Sequence, residues 1–197
     1  MNFRAYDILS SLVPGFLFLL TLLIAFRVAY DKDLIFAYTA IAFLLGYLIN
    51  TIGSWMEDFY FWTWGGKPSN NLLSGKGTWK INFYHGEQAR NLLKNETVTA
   101  EPTNDELFSI AMRQVTGLKD SRIEDFNALY AFSRSLLTVV LLSTTILLIQ
   151  YRSDWRYHSV LVPALIVTWL RSKQRGYYYA KEVLNEYLKK RLSSTSI

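Results

Sequence analysis

Residues 34–56, LIFAYTAIAFLLGYLINTIGSWM, run for 23 positions without a charged side chain. Wound into a helix at about 1.5 Å of rise per residue, such a run crosses a hydrocarbon core about 30 Å thick, so it predicts a membrane-spanning helix and a membrane protein. The run passes directly into the aromatic cluster Phe59, Tyr60, Phe61, Trp62 and Trp64. Trp and Tyr rings favour the headgroup level, which places Trp55, Tyr60, Trp62 and Trp64 at the expected bilayer boundary. Glu57 and Asp58 then stand at or outside it, because a carboxylate at the bilayer centre costs about 3 kcal/mol or more.

Three further apolar blocks share this character. Residues 8–26 hold 19 charge-free positions, preceded by Arg4 and Asp7 and closed by Arg27. A signal peptide has a shorter core, a more basic leader and a small-x-small cleavage site, so this block predicts a retained helix, kinked where Pro14 removes a backbone hydrogen bond. The connection at residues 30–33 is short enough to force an antiparallel hairpin. Residues 135–151 and 157–170 are charge-free runs of 17 and 14, flanked by Arg134, Arg152, Arg156 and Arg171. The shorter one alone would fit a buried core helix. Its tight connection, Trp155 and Trp169 at its two ends, and an Arg171 able to snorkel predict a second membrane hairpin instead.

Residues 57–134 are polar and mixed. Turn residues crowd positions 64–71 and 74–77, and Trp79, Ile81 and Phe83 alternate with polar neighbours in a short β-like run at 78–84. A short helix is expected at 87–94. A capping box at Thr103 and Glu106 opens a helix carrying Leu107, Ile110, Ala111 and Val115 and stopping at Gly117. A second, at Ser121 and Glu124, opens one that no breaker separates from the third apolar block. A single helix over 122–150 would be about 43 Å long, more than a bilayer core needs, so its first turns stand out of the membrane. The tail is amphipathic, with Ala180, Val183, Leu184, Tyr187, Leu188 and Leu192 at helical spacing and the last five residues frayed. The fold class expected is an all-α membrane protein of two transmembrane hairpins (four transmembrane helices) with an inserted, mostly helical cytoplasmic domain. Its segments are 1–56, 57–134, 135–171 and 172–197.

Charge fixes the expected orientation. Of the 21 Lys and Arg residues, 17 fall in the N-terminal leader, in residues 67–134 and from Arg171 onward, against four in the hairpin turns. Basic residues accumulate on the cytoplasmic face, so both termini and the central region of a multi-pass protein are expected there. Residues 57–134 hold nine basic and ten acidic side chains, a poor match for nucleic acid. The basic excess lies in the tail, at Arg171, Lys173, Arg175, Lys189, Lys190 and Arg191, and points to anionic lipid headgroups.

No catalytic constellation emerges. The chain has no cysteine, His85 and His158 fall on opposite sides of the expected membrane, and no HExxH, GxSxG or P-loop pattern is present. No catalytic residue, metal or cofactor is therefore expected, and an enzyme is disfavoured. The adjacent Glu57 and Asp58 point about 100° apart on a helix, which favours solvated helix-end charges over a shared cation site. Gly46, Asn50 and Gly53 share a face, and small residues with an amide suit helix packing within or between protomers. Pore lining is the alternative for them, as it is for Ser143, Thr144 and Thr145. With no ionisable group at mid-membrane, a proton-coupled transporter is disfavoured. Four thin helices and these packing residues make a homo-oligomer the expected assembly. The Asn95-Glu96-Thr97 sequon is expected on the cytoplasmic side and is read as chance.

Several phrases carry a resemblance. Tyr6-Asp7-Ile8-Leu9 with Val13-Pro14-Gly15-Phe16, then Gly46-Tyr47-Leu48-Ile49-Asn50-Thr51-Ile52-Gly53, then Trp64-Gly65-Gly66-Lys67-Pro68, resemble small four-helix bacterial membrane proteins of anti-phage defence operons, of the kind found as the membrane subunit of the Kiwa system. The likeness covers mainly the first third of the chain and carries no catalytic residue. It implies an inner-membrane oligomer that detects phage attachment or membrane perturbation and works with a cytosolic partner. Three functions are weighed: a sensor or scaffold binding that partner through residues 57–134 and the tail, an oligomeric pore or membrane-disrupting effector, and a membrane-bound enzyme. The first is favoured.

Overall fold

A computed structural model describes residues 5–78, 81–118 and 121–195. Arg4, Trp79 and the last two residues of the tail lie outside the described residues. Regular structure among the described residues is helical. The alternating run at 78–84 yields no strand there, only an isolated antiparallel bridge between Thr78 and Ile81.

Helix α1 spans Ala5–Ala25 with Pro14 inside it, and α2 spans Ile35–Trp55, entered through a 3-10 turn at Lys32–Leu34. Arg27 ends α1 at a positive φ of 55° while its amide donates to Ile24 O and that of Val28 to Leu23 O, the paired bonds of a left-handed helix stop. The two helices run antiparallel, as their short connection requires, and their backbones meet at glycines. A Cβ on Gly15 would lie 1.7 Å from the carbonyl oxygen of Ala42, and one on Gly46 would lie 1.8 Å from that of Ser11. Leu19, Tyr38 and Ala42 are buried beside this crossing, with Leu12, Phe16, Leu23 and Leu45 packed on them.

Helix α3, Glu57–Trp64, follows after Met56 alone. Gly65 and Gly66 close it at φ +83° and +113°, with the amide of Gly66 bonded to Phe61 O, a conformation that residues with a Cβ rarely adopt. The turn-rich segment that follows holds a short helix, α4, Pro68–Leu73, where the spacing of turn residues suggested none. Pro68 occupies its first turn, and burial of Leu72 and Leu73 drives it. Then come α5, Gly86–Lys94, and α6, Asn104–Val115, whose capping box at Thr103 and Glu106 forms as expected. Helix α7 is Ile123–Gln150, with the Ser121 hydroxyl accepting from the Ile123 amide at 3.1 Å. The fourth apolar block and the tail are one 41-residue helix, α8, Trp155–Thr195, so the tail stays helical through most of its last five residues.

The chain divides into two compact units: unit 1, Met1–Glu57 with Ala128–Ser172, and unit 2, Asp58–Asn127 with Lys173–Ile197. Unit 2 closes around Leu72, Leu73, Ile81, Phe83, Ala89, Leu93, Leu107, Ala111 and Val115, against Tyr177, Ala180, Val183, Leu184, Tyr187 and Leu188 of α8. The apolar stripe of the tail therefore lies in a protein core, not on lipid. Leu192 alone of that stripe is exposed.

In unit 1 two stretches are long and apolar enough to cross a membrane, Lys32–Trp55 and Ile123–Gln150, the second beginning in unit 2; α1 offers a shorter one, Ser10–Ala25. Unit 1 is also reversed in polarity. Among the described residues 23 of the 28 large exposed hydrophobic side chains belong to it, while Thr21, Ser133, Ser135, Thr138, Ser143, Thr144 and Ser172 are buried in it.

Candidate functional site

Five of those buried hydroxyls, Ser133, Ser135, Thr138, Ser143 and Thr144, belong to α7, and together with Glu57, Asn50 and Thr21 they make its polar seam. At its start Glu57 accepts a hydrogen bond from the Tyr130 hydroxyl and pairs with Arg134 Nη1 at 3.1 Å. The Arg134 guanidinium also lies 5.7 Å from the Tyr130 ring centroid, so cation, phenol and carboxylate form one clamp. Tyr130 and Arg134 stand one helical turn apart, which aims both at the same carboxylate. This corrects the reading of Glu57 as a solvated helix-end charge: only Asp58 is exposed. Arg134, the partner, is far away in sequence, so no local pattern reveals the pair.

Further along, Asn50 Oδ1 accepts from Ser135 Oγ at 3.1 Å, and a Cβ on Gly53 would come within 2.7 Å of Thr138 Oγ1. Thr21 donates to Ser143 Oγ at 2.8 Å and Tyr151 donates to Ile24 O at 3.0 Å, which run α1 parallel to α7. Each such interhelical bond contributes about 1 kcal/mol in an apolar surround. Of the polar residues expected on packing faces, Gly46, Asn50, Gly53 and Ser143 thus meet another helix of the same chain. Thr144 is buried with its hydroxyl unpartnered among the described residues. Thr145 is exposed and donates back to Leu141 O.

Unit 2 contains a second clamp of the same spacing. Glu96, just past α5, accepts from the Tyr187 hydroxyl at 2.7 Å, pairs with Arg191 and accepts from Gln114 Nε2. Burial first, then the bond to Glu96 and its negative charge, hold the Tyr187 phenol above its ordinary pKa. The sequon reading passed over Glu96. The Tyr-x-x-x-Arg spacing, present at both 130–134 and 187–191, marks the phenol and guanidinium of each clamp but not the carboxylate they hold.

The basic tail is partly occupied by protein as well. Arg191 is held by Glu96, Lys190 donates to Gln114 O at 2.7 Å, and the exposed Lys189 lies 3.7 Å from Glu186. Arg171 is exposed, and Lys173 and Arg175 are half-buried. The aromatics divide too. Trp55, Trp62 and Trp155 are exposed and Trp169 is half-buried, but Tyr60 and Trp64 are buried and stack at 6.5 Å between ring centroids.

A polar cleft of about 310 Å³ in unit 2 is lined by Thr97, Thr99, Asp105, Glu106, Ser109, Ile110 and Arg113. Asp105 is taken by Lys67 at 3.0 Å, and Glu106 by the Thr103 amide at 2.8 Å. Among the described residues no group of three or more His, Cys, Asp or Glu is placed to hold a metal ion. The seam and clamps offer positioned charge and hydrogen bonds between helices. Compared with family models, curated proteins and solved structures, the chain matches none of them.

Proposed function

We propose that the chain is a multi-pass inner-membrane sensor and scaffold. Unit 1 occupies the bilayer through four crossings, made by α1, α2, the later part of α7 and the first part of α8. Unit 2 stands in the cytoplasm and recruits or regulates a cytosolic effector protein. The observation that carries this reading is the reversed polarity of unit 1 beside the ordinary core of unit 2. A surface that apolar is at equilibrium only in an apolar solvent, whereas unit 2 buries its large side chains as water requires. Lipid is the solvent that fits unit 1.

Two things favour a scaffold over a pore. Asn50, Thr21 and Ser143 spend their hydrogen bonds on one another's helices, leaving little polar surface to line a channel. Helices α7 and α8 each run without interruption from one unit into the other, a direct mechanical route for membrane strain. The resemblance to membrane proteins of defence operons supports the anti-phage setting and a homo-oligomer, and the chain itself needs no catalytic step in this role.

The test begins with the full chain in bacterial membranes. It should resist alkaline carbonate extraction and, in mild detergent, copurify with a cytosolic protein at fixed stoichiometry. Reversing the exposed charges Lys76, Glu87, Lys94 and Glu101 of unit 2 should remove that protein while the membrane part still assembles. Release by carbonate refutes the membrane reading. Ion flux through liposomes holding the chain alone, without any stoichiometric partner, refutes the scaffold reading in favour of the pore.

A further inference from the structure

Helix α3 has two aromatic faces of opposite fate. On the inner face Tyr60 and Trp64 are buried and stacked, with Phe61 edge-on to Trp64 at 5.4 Å between centroids. On the outer face Phe59 and Trp62 are 50% and 76% exposed, and they stack on each other at 6.0 Å with planes 29° apart. The other large hydrophobic side chains that unit 2 exposes, Tyr84, Val98 and Leu192, come from separate segments. The outer pair is the one place where unit 2 shows water a preassembled aromatic surface among the described residues.

Covalent connection says what lies beside it. Met56 is the one residue between α2 and α3, and Phe59 follows Trp55, the last residue of a stretch able to cross a membrane, by four positions. Four residues of helix advance about 6 Å, and the headgroup layer on each side of a hydrocarbon core is about 5–8 Å deep. Phe59 therefore cannot stand much farther from the end of the span than the depth of that layer. Asp58, exposed on the same short helix, keeps α3 out of the hydrocarbon, since an ionised carboxylate is tolerated among headgroups and costly below them. Aromatic rings favour this layer over both water and hydrocarbon.

We infer that Phe59 and Trp62 form an interfacial plate seated in the glycerol and headgroup layer of a phospholipid bilayer. Tyr60 and Trp64, buried and stacked on the opposite face, hold α3 with that plate turned outward. The inference rests on the membrane reading above and adds to it the specific element that touches the lipid surface.

The absence of cysteine from the chain makes the test clean. Single variants Phe59→Cys and Trp62→Cys, with Leu44→Cys from the exposed face of α2 and Tyr84→Cys from unit 2 as references, are labelled with an environment-sensitive fluorophore. Each full-length protein is placed in vesicles of phosphatidylcholine and phosphatidylglycerol, then exposed to aqueous iodide or to phospholipid bearing a nitroxide high or low on its acyl chain. The plate predicts several-fold less iodide quenching at positions 59 and 62 than at 84, and strongest quenching by the high nitroxide. Leu44→Cys should be quenched most by the low one. If Leu44→Cys responds to lipid but positions 59 and 62 respond to iodide as position 84 does, α3 faces water and the inference is overturned alone. Protection from iodide without lipid quenching means that protein covers the plate, which overturns it as well. If Leu44→Cys also ignores lipid, the membrane reading falls and takes the plate with it. Trp62→Phe, which keeps the ring, checks the unlabelled protein: it should lower the share of intrinsic tryptophan fluorescence quenched by shallow brominated lipid, and an unchanged share counts against the plate.

Discussion

Gly46→Ala tests the α1–α2 crossing by the sign of its effect. On an isolated helix the change stabilises by about 1 kcal/mol, because alanine loses less backbone freedom than glycine. At this crossing the added Cβ would lie 1.8 Å from Ser11 O, and 2.5 Å from the carbonyl carbon of that residue. Real contacts of this kind stay beyond 3.0 Å, so the helices must part by more than 1 Å. The obstacle is backbone, which cannot rotate away as a side chain would. Separation on that scale forfeits a quarter to a half of the dispersion energy of facing atoms, in a helix pair whose cluster holds seven apolar residues. The net cost expected is about 3 kcal/mol, near the upper end for overpacking and close to a hundredfold in the folding equilibrium. Unfolding of the full chain in mixed micelles, titrated with SDS and followed by circular dichroism, reads this directly. Ala40→Leu on the exposed face of α2 serves as the control for added bulk alone. A Gly46→Ala protein as stable as the parent, or more so, would refute the backbone contact and with it the antiparallel register of α1 and α2.

Three other outcomes are expected. Arg134→Met should destabilise by about 3 kcal/mol because it leaves the half-buried Glu57 without its cation, and Glu57→Gln in the same chain should return part of that loss, a coupling that a double-mutant cycle in SDS unfolding measures. Arg27→Gly should stabilise by about 1 kcal/mol, since the position has a φ of 55° that glycine adopts freely; a loss of stability would show that the arginine side chain is needed there. Tyr187 has its folded pKa raised, so the stability it contributes is complete below the ordinary tyrosine value of about 10 and is lost as pH climbs above it. The unfolding midpoint should accordingly fall on the alkaline side, less so in Tyr187→Phe, and identical pH profiles for the two proteins would remove Glu96 and burial as the cause.

Much of the element order was legible because local signals decide it. The charge-free run at 34–56 became α2, the capping box at Thr103 opened α6, and the absence of a breaker after Ser121 let α7 run on to Gln150. Residues 64–71 misled because turn residues mark where a helix starts and stops, and say nothing of a helix short enough to fit between, such as α4. The tail was legible as an amphipathic helix but not in its destination. A stripe of Ala180, Val183, Leu184, Tyr187 and Leu188 has the same period whether lipid or Leu93 and Leu107 cover it. For the same reason Tyr60 and Trp64 looked like the other boundary aromatics until their burial separated them. Both clamps were illegible, since a carboxylate is matched to its cation by the fold over separations no periodicity records.

The two clamps bear on a problem that long apolar helices share. A stripe of leucine and valine packs almost as well when the helix slips by one turn, so burial alone leaves the register of α7 and α8 underdetermined. A charged cluster does not tolerate the same slip. Moving α7 by four residues would offer Glu57 either Arg134 and Thr138 or Phe126 and Tyr130 in place of Tyr130 and Arg134, breaking the pairing of phenol and guanidinium in either direction. Moving α8 likewise would offer Glu96 either Val183 and Tyr187 or Arg191 and Thr195. The apolar faces thus supply most of the attraction, and the two Tyr-x-x-x-Arg clamps select one alignment from several of similar burial, α7 in unit 1 and α8 in unit 2.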